Sequence, residues 1–412
     1  MRSRPHQDVL VVGAGPVGMT AALLCADRHL TVRIIDAASA TARHGYSSIL
    51  HARTLDVLGE AGMADDLRDA GLAFRDIVLH ESGEPVAHLT PPSPAPFALA
   101  IGQDVLEGML LRQLARRGVQ VEWSHRLSSL SVRDPRVEVV IEELPPPPSN
   151  ATALPRPTRT LTDHASFVIG ADGHDSTVRR LLQMAQTSAG LPEVFAFLDL
   201  QVDSELPREL HIELAVPTLC LPLDSHRCRW SFLVPSTSPH DLSRHKARAE
   251  DAPCSAQASV FDRPLALRLL AERAPWFRPV PTSLRWSAAA RFDRRLVTSF
   301  GKGRCWLAGD AAHLASPLGS QSVNLGIAEV DALVSRIVRG VRGKEALGSL
   351  ASFDRDRLRV SRSMLGVAPL LASSDRTPGW ARRQLSRVVC SLPASGDDIL
   401  RLLAPLGFVR AD

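Results

Sequence analysis

An α/β fold is what the sequence predicts: a Rossmann-like parallel sheet, interleaved with an antiparallel sheet, with helices closing the chain. Three observations predict it. The short strand Asp8–Val12 runs into Gly13-Ala14-Gly15-Pro16-Val17-Gly18 and a helix to about Arg28, and a β-branched strand, Thr31–Ile35, then ends at Asp36. Alternating strands recur from Val194 to Pro235, most clearly over Arg229–Val234. From Ala346 to Leu406 the pattern is helical, broken at Pro369, Pro378 and Pro393. Strand, crossover helix and strand make a βαβ unit, whose two strands pair in parallel.

The elements between follow in chain order. Thr54–Leu58 and Met63–Ala70 read as helices, and Asp76–Leu89 as a hairpin turning at Ser82-Gly83. Pro91–Pro96 is a proline-rich connection, and Gln103–Arg117 a helix with Leu106, Leu110 and Leu114 on one face. Val119–Trp123, Leu127–Val132 and Val137–Glu142 read as strands. The segment Pro145–Pro157 opens with four prolines, which cannot continue a sheet, so an exposed, mobile loop is expected. Ser166–Gly170 is a largely apolar strand meeting Ala171-Asp172-Gly173. Leu265–Ala274 reads as a helix ended near Pro275-Trp276-Phe277, Cys305–Leu307 as a strand, and Ser322 to Arg339 as a further helix.

Composition removes several classes. Hydrophobic residues make up 45% and charged residues 22% of 412, which excludes a disordered chain, a collagen or a coiled coil. The net charge of +4 comes from arginines scattered among acids, with lysine only at Lys246, Lys302 and Lys344, so no nucleic-acid footprint is expected. No run approaches the roughly 18–20 apolar residues that span a bilayer. The N-terminus shows no signal peptide, since Val9–Val12 meets a glycine turn at once. The six cysteines form no CxxC pair and no metal spacing, so a reduced, cytoplasmic protein with buried thiols is expected.

The chemistry starts at the glycines. Gly13 permits the tight turn, Gly15 lets the backbone approach a pyrophosphate, and Gly18 lets the helix pack on the sheet. The helix N-terminus behind Pro16 and Val17 offers free N–H groups and partial positive charge. Asp36 can accept hydrogen bonds from ribose hydroxyls. This pattern does not separate FAD from NAD.

Two later motifs make the reading specific: Asp172-Gly173-His174-Asp175-Ser176-Thr177-Val178-Arg179, and Gly309-Asp310-Ala311-Ala312-His313 continuing through Pro317, Gly319, Gln321, Asn324 and Gly326. In order and spacing the chain resembles the class A FAD-dependent monooxygenases, the para-hydroxybenzoate hydroxylase fold, over nearly its whole length. Gln103 and Glu107 match that family's helix entry. The helical tail is similar to the short members without a thioredoxin-like domain, many of which tailor polyketides and other secondary metabolites. The resemblance implies a discontinuous FAD-binding domain (1–75, 97–185 and 295–345), a substrate domain (76–96 and 186–294) and a C-terminal helical segment (346–412).

It also implies roles. Asp310, after Gly309, would hydrogen-bond the ribityl chain of FAD. The loop through Pro317 and Gly319 would lie against the flavin, and the helix starting near Ser322 would aim its N-terminus, with Val323 backbone and Asn324, at the flavin pyrimidine. Gln103 and the backbone near Leu127 would contact the ribityl and adenine parts. Asp172 and Arg179 would tie the FAD domain to the nicotinamide path. His313 reads as a buried, satisfied histidine.

Three departures from the family pattern stand out. Serines occupy 320 and 322 where the family has glycines, which crowds the flavin loop and restrains conformations of positive φ. Tyr46, the only tyrosine, stands about where the family has an arginine before His51-Ala52-Arg53-Thr54-Leu55, leaving Arg43 and Arg53 as substitute charges for phosphates and reductant. A tyrosine relay for activating phenols is impossible, so His44 and His211, with Tyr46, are the candidate catalytic groups, each histidine being equally readable as a surface residue.

The implied activity is hydroxylation or epoxidation of a small, hydrophobic organic substrate through a flavin C4a-hydroperoxide formed with NAD(P)H and O2. The pocket would lie between the FAD domain and the sheet around Leu219–Val234, walled by Phe195–Arg291. The alternative is a non-redox cyclase of the [4+2] type on the same scaffold, with FAD structural and catalysis by near-attack folding. A flavin-binding protein without catalysis is the third reading. Oligomeric state is not legible.

Overall fold

The computed structural model describes residues 6–41, 47–90, 98–145, 156–234, 263–342 and 346–411. An eight-stranded sheet forms the first layer. Its path runs Gly301–Lys302, Cys305–Leu307, Arg159–Gly170, Gln7–Val12, Val32–Ile35, Val121–Glu122, with Arg136–Glu143 folded back onto Arg159–Gly170 and His125–Arg133 paired in turn to Arg136–Glu143. Gln7–Val12 lies parallel to both neighbours, Val11 opposite Ile169 and Ile34. Val9, Leu10, Val11 and Val12 are all buried: Pro16–Asp27 packs against the strand, and Leu127, Val137, Val139 and Ile141 share its core. The helix Pro16–Asp27 makes the crossover, and the 22-residue helix Gln321–Arg342 packs against it.

The second sheet has seven strands in the order Pro281–Phe292, Glu193–Val202, Arg227–Val234, Thr218–Pro222, Glu209–Glu213, Asp76–Glu81, Glu84–Leu89. The hairpin Asp76–Leu89 joins it by parallel pairing, Ile77 opposite Leu210 and Leu79 opposite Ile212. Its turn places Ser82 at φ 55° and Gly83 at φ 85°, the two left-handed positions that match the twist of a two-residue hairpin. Alternation then sorts side chains onto two faces. Phe195, Leu210, Ile212 and Leu221 pack with Ala381, Val388, Leu392 and Leu402 of the C-terminal helices. Ala196, Leu198, Trp230 and Phe232 pack with Ala266, Leu270 and Trp276 on the other side.

Several features differ from the sequence reading, two of them large. The twelve-residue strand Pro281–Phe292, paired to Glu193–Val202 from Phe292↔Glu193 to Pro281↔Val202, was not expected. Its residues Arg285, Ala288–Ala290 and Arg291 carry no period of two, and only Pro281 and Ser287 are buried, so pairing with its neighbour defines the strand. The stretch read as helical holds helices at Ala346–Met364, Gly379–Ser391 and Asp397–Leu403, but also an antiparallel pair, Leu371–Ser373 with Phe408–Arg410. Gly407 makes the pair possible: at φ 79° its carbonyl accepts from Ser374 Oγ (2.6 Å) and Thr377 Oγ1 (2.9 Å). The proline segment at 146–155, the Pro91–Pro96 connection, and Arg43, His44 and Tyr46 lie outside the described residues.

Candidate cofactor cradle and substrate cleft

Gly13 turns at φ 102°, and a Cβ there would sit 2.2 Å from the Ala171 carbonyl oxygen; one on Gly18 would sit 1.9 Å from that of Gly13. Both positions are closed to any side chain. Gly15 is different: a Cβ would meet nothing within 4 Å, at an ordinary φ of −74°. It caps the helix Pro16–Asp27 with no side-chain acceptor, so first-turn N–H groups are left to a ligand or water. Asp36 holds this corner in shape, accepting from Ala14 N–H (2.6 Å) and Ala38 N–H (2.7 Å).

The chain's far half meets that corner. A Cβ on Gly309 (φ 62°) would come 3.1 Å from Val17 Cγ2, and one on Gly326 would come 2.6 Å from Val17 Cγ2 and 2.9 Å from Gly309 Cα. Glu329 locks the arrangement: one oxygen accepts from Gly309 N–H (2.9 Å), the other pairs with His313 Nε2 (2.9 Å), with both side chains buried. Burial disfavours the imidazolium, but the Glu329 carboxylate outweighs it and holds the His313 pKa above its ordinary value. His313 is thus the buried core histidine the sequence suggested, held through Nε2 while its Nδ1 is left without a partner among the described residues. Glu329 was missed, although it interrupts an otherwise apolar stripe, Leu325, Val330, Leu333 and Ile337, on its helix.

Asp310 is solvent-exposed, yet desolvation by its surroundings raises its carboxyl pKa against the pull of His313 and Ser322. Asp172 instead caps a helix. It accepts from Ser176 Oγ (2.5 Å), Thr177 N–H (2.7 Å) and Val178 N–H (3.1 Å), closing the N-terminus of the helix Thr177–Leu181. Arg179, buried, donates to the carbonyls of Ala311 (2.9 Å) and His174 (2.7 Å), clamping the two later motifs together. Gln103 donates to Glu107 (2.7 Å) along one helix face. Leu127 points into the core beside an irregularity in its ladder. Arg53 is committed to Asp331 (2.7 Å), which also holds Arg28.

The loop 315–324 is cross-braced. Ser322 Oγ accepts from Ala315 N–H (3.2 Å), and Asn324 donates to the carbonyls of Ile49 and Ser320 (2.7 Å each) while accepting from His51 N–H (2.8 Å). His51 Nε2 donates to the Gly319 carbonyl (2.8 Å), and burial lowers its pKa to about 4, so it is neutral. Ser320 adopts φ 49° despite its side chain, and its Oγ accepts from Ile49 N–H (3.2 Å). Gly319 packs on the carbonyls of Cys390 and Leu392. Pro317 and Val323 lie within this braced segment, half-buried.

Beside it opens a cleft of about 610 Å³. Its walls are Ser316 and Leu318 of the loop, Glu193, Pro217 and Leu233 of the seven-stranded sheet, Arg294, and Arg383, Gln384, Arg387 and Cys390 of the helix Gly379–Ser391. Only Pro217 and Leu233 among these fall within the expected wall, 195–291; the C-terminal helix supplies much of the rest. His211 is not there. It stacks on Trp276 (4.5 Å) and meets His80 Nε2 through Nδ1 (3.1 Å), on the opposite sheet face from the cleft. Alternation from Leu210 and Ile212, which face the cleft side, carries that signal. Burial, then His80, lowers the His211 pKa to about 4.

Residues 6–368 match the family described as FAD binding domain, and the chain belongs to that family. It is 28% identical over 366 residues to 6-methylpretetramide 4-monooxygenase of Streptomyces rimosus, covering 87% of this chain and 60% of that protein. It is 24% identical to tetracenomycin B2 monooxygenase-dioxygenase of Streptomyces olivaceus, covering 85% and 66%. The chain therefore spans about three fifths to two thirds of these relatives. In fold it resembles p-nitrophenol 4-monooxygenase from Pseudomonas putida (TM-score 0.68, 18% identity, 98% of this chain and 97% of that one). The ternary complex of aklavinone-11 hydroxylase with FAD and aklavinone is similar too (TM-score 0.67, 21% identity, 96% and 73%). FAD fits the residues present: an open glycine at a helix N-terminus, an accessible carboxylate at Asp310, and glycines cleared from the same corner. Among the described residues no cluster of three metal-ligating groups occurs, and no helix is long and apolar enough to cross a membrane.

Proposed function

We propose that this chain is an FAD-dependent monooxygenase that hydroxylates or epoxidises a polycyclic, secondary-metabolite substrate, with NAD(P)H as electron donor. The observation that carries the reading is the contact of Val17 with Gly309 and Gly326, which puts a nucleotide-binding corner and a second glycine loop in one cradle beside the 610 Å³ cleft. Bound FAD would supply the redox chemistry between nicotinamide, O2 and substrate.

The chain's own part is binding, orientation and exclusion of water. Gly15 and the first turn of its helix would take the pyrophosphate, Asp36 the ribose, and Asp310 the ribityl hydroxyls. Pro317, Gly319 and Ser322, with Val323 and Asn324, would hold the flavin ring at the mouth of the cleft, braced by His51 and Asn324. The N-terminus of the helix Gln321–Arg342 would stabilise negative charge gathering there. The proposed division into an FAD-binding part (1–75, 97–185 and 295–345) and a substrate part (76–96 and 186–294) is supported by which strands make up the two large sheets, and the C-terminal helices would cover the cleft.

Anaerobic mixing with NADPH is expected to bleach the flavin, and aerobic turnover to place 18O from O2 in the product. The serines at 320 and 322 favour the second reading, a non-redox cyclase, by crowding the flavin loop. A flavin that NAD(P)H never reduces, with product formed anaerobically, selects the cyclase; a retained flavin without turnover in either assay selects a binding protein.

A further inference from the structure

The cleft carries an uncommitted cation. Arg294 lies on the connection between the strands Pro281–Phe292 and Arg295–Val297, and the latter pairs with His313–Leu314 at the flavin side. Its guanidinium makes no hydrogen bond or ion pair with the described residues, and its Nε is buried. A buried cationic donor without a partner is costly, and proteins keep one mainly where something else completes it. The other two arginines of the cleft are engaged: Arg383 stands 3.8 Å from Glu81, and Arg387 donates to the carbonyls of Leu214 (3.2 Å) and Ala215 (2.9 Å). Glu193 is the single carboxylate on the wall, and no ion pair joins it to Arg294.

The backbone makes room for this side chain. A Cβ on Gly190 would fall 2.2 Å from Arg294 Nη2, so the glycine lets the guanidinium lie flat against the chain. Ala189 N–H bonds the Arg294 carbonyl (2.8 Å) and fixes the base of the side chain. A planar fork held in a recess suits the two oxygens of a carboxylate.

We propose that the cleft takes an acidic substrate, a fused-ring aromatic carrying a carboxylate that pairs with Arg294. This rests on the monooxygenase reading for the place of the cleft beside the flavin, but recognition of the acid is a property of the sheet and loop. It sharpens the hydrophobic substrate expected from composition: apolar rings toward Leu233 and Leu318, one charge toward Arg294.

The test is equilibrium binding of anthraquinone-2-carboxylate and its methyl ester to the FAD-loaded protein, by calorimetry. The acid is expected to bind roughly tenfold or more tightly than the ester, as a charged hydrogen-bonded pair implies. Arg294→Gln is expected to erase that preference and leave the ester unchanged, Arg294→Lys to restore part of it, and Arg295→Gln, an exposed neighbour paired with Asp293, to leave it intact. Equal binding of acid and ester, no binding of either at millimolar concentration, or a preference that survives Arg294→Gln overturns the proposal. Flavin absorbance of the same samples reports cofactor binding separately: a colourless protein sinks the monooxygenase reading, whereas a yellow one blind to the carboxylate sinks only the role of Arg294.

Discussion

Ser320 holds a left-handed backbone, φ 49°, at a position where glycine would carry no penalty. Such a conformation costs of order 1 kcal/mol for a residue with a Cβ. Its hydroxyl returns part of that by accepting from Ile49 N–H at 3.2 Å, a long bond. Ser320→Gly is therefore expected to raise thermal stability slightly, by less than about 1 kcal/mol, and denaturation scans check it. His51 gives a sharper expectation. Its folded pKa is lowered to about 4 from 6.5, so below pH 6.5 the unfolded chain binds a proton that the native chain refuses. Stability contributed by neutral His51 is present above pH 6.5 and lost as pH falls toward 4, by roughly 3 kcal/mol. Urea midpoints across that range should fall with pH, and His51→Gln should flatten the slope.

At the scale of elements, the helix Thr177–Leu181 has one full turn and depends on its cap. Asp172→Asn leaves a single acceptor for the Ser176, Thr177 and Val178 donors, and is expected to cost about 1–2 kcal/mol and to speed exchange of the Thr177 and Val178 amides. Legibility also sorts at this scale. Gln7–Val12, Pro16–Asp27 and Val32–Ile35 were readable because glycines, a helix-start proline and unbroken apolar runs all agree there. Pro281–Phe292 was not, since its edge position leaves few buried residues to set a pattern. The close approaches at Gly13, Gly18 and Gly309 were legible through spacing. Glu329, Arg294 and the brace from His51 to Gly319 were not, because each depends on a partner more than 15 residues away or on the shape of a cleft.

At the scale of the molecule, the two sheets meet through the loop 315–324 and the C-terminal helices, which both floor the cleft and pack on Gly319. Gln321 Nε2 donates to the carbonyls of Leu392 (2.8 Å) and Ala394 (3.0 Å), so the start of the helix Gln321–Arg342 is tied to the chain leaving the helix Gly379–Ser391. Gln321→Ala is expected to loosen that joint and raise the KM for substrate more than it changes FAD affinity; steady-state kinetics with flavin titration separates the two.

FAD affinity of Gly15→Val against wild type reaches the centre of the account. The position has an ordinary φ of −74° and open space where a side chain would go, so the variant should fold and melt like the parent. If a pyrophosphate approaches that backbone, the same side chain blocks it, and the variant should be purified colourless and take up FAD at least a hundredfold more weakly, about 3 kcal/mol. A Gly15→Val protein that stays as yellow as wild type, with unchanged affinity, would contradict the shared cradle.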